Sequence, residues 1–269
     1  MKLSNIMNRR NRILLRELVV TDFKLRYQGS ALGYAWSLLK PLFLFAIMYV
    51  VFGVIIKVGT VEHYAVYLLL GIVLWTFFAE ATNQGMGAIV GRGDLLRKIS
   101  FPKYIIVLST TISALINLIL NLAIVAILMI FNGIHLHLSI LMLPIYMTEI
   151  YVLALGLAFY LSAVNVKYRD TIHIWEIVMQ AAFYATPIIY PLSLVIEKSE
   201  FIAKMLLMNP IAQAIQDARY STITHESVTL SGLSHNIFYS LIPYIIVILV
   251  FVGGTLYFKR HSKYFAENI

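Results

Sequence analysis

Tyr104-Ile-Ile-Val-Leu-Ser-Thr-Thr-Ile-Ser-Ala-Leu-Ile-Asn-Leu-Ile-Leu-Asn-Leu-Ala-Ile-Val-Ala-Ile-Leu-Met-Ile-Phe131 carries no charged residue. As a helix it rises roughly 40 Å, more than the ~30 Å of hydrocarbon in a bilayer. The run does not stand alone, because residues 104–166 contain a single charge, Glu149. Working outward for apolar runs of about 20 residues predicts six membrane spans. They are Ala35–Ile56, Tyr64–Ala88, Tyr104–Phe131, Leu138–Val164, Thr171–Tyr190 and Ile237–Phe258. Residues 1–34 are basic and polar with no apolar core, so no cleavable signal peptide is expected there.

Composition agrees with this reading. Of 269 residues 60% are hydrophobic and 13% charged, against about 25% charged in soluble domains, and mean hydropathy is +0.82. With no Cys, disulfides, iron–sulfur clusters and thiolate zinc sites are excluded. The net charge of +8 is assigned to a membrane-side bias of Lys and Arg and not to nucleic acid. The segments through Lys40, between spans two and three, between four and five, and after six hold 8, 4, 2 and 3 of the 21 basic residues. Lys57, Lys198, Lys204 and Arg219 fall on the other side, so both termini are predicted to be cytoplasmic.

Three segments are not spans. In residues 1–34, Met7, Leu14, Leu18 and Leu25, widened by Leu15, form a stripe opposite Arg9, Arg12 and Arg16. That pattern fits either a helix lying in an anionic membrane surface or a positive anchor for the first span. Gly91–Lys103 reads as a basic loop or as a short helix, Asp94-Leu-Leu-Arg-Lys-Ile99, ended by Pro102. Further on, Thr186-Pro-Ile-Ile-Tyr-Pro191 must break a helix, since each proline removes a donor and crowds the preceding turn. Two short amphipathic stretches follow, Leu192–Met208 and Ile211–Tyr220, joined by an N-cap and first-turn proline at Asn209-Pro210. Their charges are too many for two more crossings, and a re-entrant helical hairpin in the outer leaflet is expected.

Catalytic motifs are missing: there is no Walker loop, HExxH or GxSxG. His135 with His137, and His173 with Glu176, lack a third metal ligand. Glu149, placed near mid-bilayer, reads either as a channel-lining or proton-accepting carboxylate or as a hydrogen-bonded packing residue. Ser109, Ser113, Asn117 and Asn121 recur every four residues, a stripe suited to helix contacts or a lumen. Tyr34, Trp36, Tyr64, Tyr67, Trp75, Phe77 and Phe78 fit an interfacial aromatic belt, and aromatic faces also suit passing sugar rings.

Several motifs in order resemble one family. They are Leu14-Leu-Arg-Glu-Leu, Thr21-Asp-Phe-Lys-Leu-Arg-Tyr-Gln-Gly-Ser-Ala-Leu-Gly-Tyr-Ala-Trp-Ser-Leu-Leu-Lys-Pro41, Lys98-Ile-Ser-Phe-Pro-Lys103, Val166-Lys-Tyr-Arg-Asp170, Pro187-Ile-Ile-Tyr-Pro191, Asn209-Pro210 and a basic tail. Together they resemble the ABC-2 type permease subunits of polysaccharide ABC exporters, which move O-antigens, teichoic acids and rhamnose-rich wall polysaccharides. The first-span motif is most similar to the rhamnan and O-antigen branch. The resemblance implies an all-α membrane protein of the bacterial cytoplasmic membrane: an interfacial region at 1–34, a six-helix domain at 35–258 and a basic tail at 259–269. It further implies a homodimer working with two separate ATP-binding subunits, which hold the ATP and Mg, and a glycan on a polyprenyl diphosphate. By this likeness Leu14–Ser30 is the interfacial gate helix, Asp94, Leu95, Leu96, Arg97, Lys98 and Ile99 form the coupling helix, and Leu192–Tyr220 the outer re-entrant helices. Lys24, Arg26 and Lys40, where the first helix enters the bilayer, are candidates for the substrate diphosphate or for anionic lipid headgroups. Tyr34, Trp36, Asn117, Asn121 and Glu149 are the channel-lining candidates.

Two other classes compete. A membrane-embedded glycosyltransferase or acyltransferase needs clustered carboxylates or a nucleophilic His, and the 13 acidic residues look scattered. A channel or secondary transporter acting alone predicts an inverted repeat and paired intramembrane charges, and neither is evident in the sequence.

Overall fold

The computed structural model describes residues 8–30, 32–58, 61–134, 137–234 and 237–265, without the side chains of Arg26 and Tyr27. The described residues are helical: α1 (Arg9–Tyr27), α2 (Ala35–Met48, continued by a π-helical turn over Tyr49–Ile55), α3 (Tyr64–Gly87), α4 (Gly93–Lys98), α5 (Tyr104–Phe131), α6 (Leu143–Lys167, preceded by a 3-10 segment, Leu138–Met142), α7 (Thr171–Ala185), α8 (Ser193–Lys198), α9 (Glu200–Leu207), α10 (Pro210–Thr222), α11 (Leu230–Leu233) and α12 (Ile237–His261). Five are long and apolar enough to cross a membrane: Ala35–Ile55, Tyr64–Gly87, Tyr104–Phe131, Leu138–Lys167 and Ile237–Tyr264. This is a multi-pass membrane protein. The fifth expected span, Thr171–Tyr190, forms a helix only as far as Ala185. At 15 residues it is roughly 22 Å long, short of a full crossing. Thr186 turns to an extended ψ of 137°, as a residue ahead of proline must when the ring blocks the helical conformation.

The long helices form two environments. α3 is buried almost all round, packed against α2, α5, α6, α7 and α10, whereas α2 buries only Pro41 and α7 only Met179. Tyr64, Tyr67, Trp75, Phe77 and Phe78 are therefore core residues of α3 and not an interfacial belt. Two seams lock the centre. A Cβ on Gly254 of α12 would lie 2.0 Å from the Gly156 carbonyl oxygen of α6, and one on Gly85 of α3 would lie 2.4 Å from the Ala158 Cβ. Only glycine lets those backbones come so close.

At the end of the molecule rich in Lys and Arg, a second cluster joins Ile89, Ile106, Val107, Phe159, Phe258 and Phe265. Leu18 of α1 and Leu96 of α4 pack against it. α1 thus lies along α5: of its apolar stripe Leu14, Leu15 and Leu18 are half-buried and Leu25 is 61% exposed, while Met7 lies outside the described residues. Nor is the tail free, since Phe265 is fully buried and Lys103 sits over its ring, 5.6 Å from the centroid.

At the other end, Ser199 splits the first limb of the expected hairpin into α8 and α9 and caps α9 by accepting from the Ile202 amide at 3.4 Å. Asn209 Oδ1 accepts from the Ile211 amide at 3.1 Å, with Pro210 opening α10, as the sequence predicts. α10 is covered on nearly every side, with 11 of its 13 residues buried.

Candidate functional site

A cavity of about 660 Å³ opens between α1, α2, α3 and α5 near the basic end. The four-residue spacing on α5 aims its polar stripe at this space. Ser109, Ser113, Asn117 and Asn121 are all buried, and the last two line the cavity. Asn117 donates to Glu80 Oε1 of α3 at 2.7 Å, and Gln84 donates to the same oxygen at 2.8 Å. Asn121 donates to the Ser37 carbonyl of α2 at 3.2 Å, tying the otherwise loose α2 to the bundle. Trp36 and Lys40 complete the α2 wall. At the mouth, Arg92 forms an ion pair with Asp22 of α1 and donates to Ser109 Oγ at 3.0 Å. Both partners expose only 17% of their side chains, so the pair fixes α1 against the loop between α3 and α4. The result is a groove with a carboxylate at its centre, an Arg–Asp pair at its mouth, a lysine on its edge and an indole on its wall, a lining able to exchange hydrogen bonds with hydroxyl groups.

The model of the family described as ABC-2 type transporter matches residues 13–222, from α1 through α10. The chain belongs to the ABC-2 type transporter family. Among similar proteins, the O-antigen export system permease protein RfbA of Myxococcus xanthus is 28% identical over 95% of this chain and 95% of its own length. Two proteins of the same name from Klebsiella pneumoniae are each 25% identical over 94% of both chains.

Within this ABC-2 chain the structure brings Trp36, Lys40, Asn117 and Asn121 to one cavity. It does not bring the other candidates there. Tyr34 is 48% exposed and stacks on Phe23 at 5.0 Å, Lys24 is exposed on α1, and the side chain of Arg26 lies outside the described residues. Of the expected coupling segment, Asp94, Arg97, Lys98 and Ile99 are exposed and Leu95 is half-buried, while Leu96 is spent in the chain's own core. Sequence reasoning passed over Glu80, although an ionisable residue inside an apolar span is itself the signal. The Asp22–Arg92 pair had no local signal.

Two further polar groups lie toward the other end. Arg219 of α10, counted among outer-side charges from sequence, is fully buried. Its guanidinium donates to the carbonyls of Tyr67 at 3.1 Å, Pro187 at 2.6 Å and Ile188 at 2.8 Å, and to Gln216 Oε1 at 3.1 Å. It also lies 3.5 Å from the Tyr67 ring centroid, a cation–π contact stripped of water. A Cβ on Gly71 would sit 2.3 Å from Nη2, so this glycine makes room for the guanidinium. The second group corrects the picture of scattered acids. Glu149, within the span Leu138–Lys167, lies beside Asp217, Gln213, Tyr146 and Tyr244.

His135 lies outside the described residues, and His137 faces His225 with ring centroids 5.5 Å apart. Among the described residues no group of three or more His, Cys, Asp or Glu is placed to hold a metal ion.

Proposed function

We propose that this chain is the permease subunit of an ATP-driven exporter that carries a lipid-linked cell-surface polysaccharide of O-antigen type across the bacterial cytoplasmic membrane. The observation that carries this reading is the likeness to O-antigen export permeases over about 95% of both chains. The polar groove on α2, α3 and α5 supports it. Hydroxyl-rich sugars match Glu80, Asn117, Asn121 and Gln84 as hydrogen-bonding partners, and Trp36 offers a ring face. Lys40 and the α1 cations Lys24 and Arg26 receive the diphosphate as it enters from the basic end.

In this reading α2, α3, α5, α6, α7 with its Pro187 break, and α12 make six crossings, with both termini in the cytoplasm. α8 to α10 form a re-entrant unit at the outer face. Two copies of the chain pair, and each meets an ATP-binding subunit through α4, where Asp94, Leu95, Arg97, Lys98 and Ile99 offer charge and apolar surface. ATP is hydrolysed on the partner, and this chain converts the resulting motion into passage of the glycan.

Deletion of the gene, with export of surface polysaccharide measured and lipid-linked glycan assayed inside the cell, tests the reading. The expected result is loss of surface glycan with accumulation of lipid-linked material. Unchanged export, or co-purification without an ATP-binding subunit, would overturn it. Topology has its own test: reporters inserted near Arg92 and Ser199 should report opposite sides of the membrane, cytoplasmic at Arg92.

A further inference from the structure

We propose that Glu149 and Asp217 form a buried proton-binding site that joins α6 to α10 and holds one proton between the two carboxyl groups at neutral pH. This goes beyond the export reading and does not depend on it.

Donors and acceptors around the pair do not balance. Gln213 is 2% exposed, and its amide nitrogen is committed to Asp217 Oδ2 and, at 3.1 Å, to the Tyr244 hydroxyl. Its carbonyl oxygen therefore lies inside the same cluster, and it is buried with no hydrogen-bond partner. Glu149 is 7% exposed, and neither of its carboxyl oxygens has a partner. Three buried acceptor atoms thus lack donors. The described titratable groups facing the pair are Tyr146 from α6 and Tyr244 from α12, with Tyr220 of α10 next to Tyr146, none of them a cation. Arg219, on the same helix as Asp217, is spent on backbone carbonyls and Gln216.

A buried carboxylate without donors or a counter-charge is costly, and two side by side add repulsion. One proton relieves both. A protonated carboxyl supplies an O–H donor that an orphaned acceptor such as Gln213 Oε1 can take, and it removes one of the adjacent negative charges. Burial pushes the Asp217 carboxyl up to about 6 even against the Gln213 hydrogen bond; Glu149 has no donor at either oxygen, so the pair as a whole keeps its proton to higher pH than Asp217 would alone. The proton belongs to the pair and not to either residue.

The test is infrared difference spectroscopy of the full-length permease in lipid nanodiscs at pH 7. Exposed carboxyls are ionised there, so a carbonyl band of a protonated, buried carboxylic acid, shifting in D₂O, is expected from wild type. Glu149→Gln and Asp217→Asn should each remove or displace that band, and the exposed control Glu197→Gln should leave it. Thermal stability supplies an independent readout. The folded state holds the proton more tightly than the unfolded chain, so wild-type stability should fall as pH rises from the ordinary carboxyl range, go on falling through neutrality, and level off only once the pair has lost its proton. Glu149→Gln, the neutral isostere, should flatten that dependence. If one variant does not accumulate, the other decides the assignment, and the two wild-type measurements stand without either. No acid band in wild type at pH 7, or a band that survives both substitutions, overturns the proposal. A missing band with stability that follows Na⁺ or K⁺ concentration and not pH also overturns it, and assigns the site to a cation.

Discussion

Arg219 and Arg92 solve the same problem, a guanidinium out of water, in opposite ways. Among the described residues Arg219 meets no carboxylate; it is held by three backbone carbonyls, an amide oxygen and a tyrosine face, all inside the bundle. Arg92 has a single carboxylate from another helix, at the mouth of an open cavity. The first arrangement satisfies carbonyls that the Pro187 break leaves without their helical donors, so it belongs to the fold itself. The second ties one helix to one loop by a bond that water or an anion can replace. The molecule holds both, a fixed brace where the chain breaks and a separable latch at the mouth of a cavity.

The largest effect should come from the brace. Arg219→Ala leaves buried carbonyls unpaired and should cost at least about 3 kcal/mol, since each such group is worth roughly 1–3. Thermal unfolding in detergent should show it, together with reduced membrane abundance. Gly71→Ala should act in the same direction, because its methyl group meets the guanidinium. If Arg219→Ala is as stable as wild type, the brace is not structural.

The latch should be weaker and functional. Asp22→Asn keeps the shape but removes the charge, and a loss of roughly 1.5–3 kcal/mol at that contact is expected. The readout is faster proteolysis or hydrogen exchange of α1 with the bundle intact. Exchanging the charges, Asp22→Arg with Arg92→Asp, should recover much of the loss, and failure of the exchange would mean that Ser109 and not charge sets the pairing.

Within the groove, Lys40 is exposed, so solvent screens it. Lys40→Glu should lower export per inserted molecule about tenfold and Lys40→Gln by less, with the gap narrowing at high salt. Equal normalised export would remove Lys40 from the substrate path. Smallest in stability, Ile99→Asp should leave unfolding unchanged within about 0.5 kcal/mol, as for a surface position, yet reduce co-purification of the ATP-binding subunit. Leu96→Asp should instead destabilise the chain, because that side chain packs into its own core.

What could be read from the sequence follows the range of each interaction. α5 is found to the residue, Tyr104–Phe131, because an uninterrupted apolar run is a local property. So are the Asn209 cap and the break at Thr186-Pro187. The polar stripe on α5 was visible too, with Asn117 and Asn121 correctly turned inward. The Tyr67 carbonyl, by contrast, lies 152 positions from Arg219, and Asp22 meets Ser109 across 87. Periodicity couples residues three or four apart and is blind to such pairs. The aromatics of α3 misled for a related reason: they suggest an interfacial belt, but α3 packs against five other helices and buries them. α7 failed differently, since an apolar run counts residues through Tyr190 while the backbone at Thr186 has already left the helix.

The glycine seam of α6 has a mechanical consequence. Helices that touch through side chains can slide by letting rotamers yield, but Gly156 and Gly254 meet backbone to backbone. Moving α12 by one turn, about 5.4 Å, would carry Val250 or Phe258 into a gap that admits only a hydrogen atom. Gly85 against Ala158 imposes the same restriction on α3. These three helices therefore have no gear to shift. Rigid against one another, they leave any stroke to helices outside that weld, such as α2 and α7, each of which buries only a single residue.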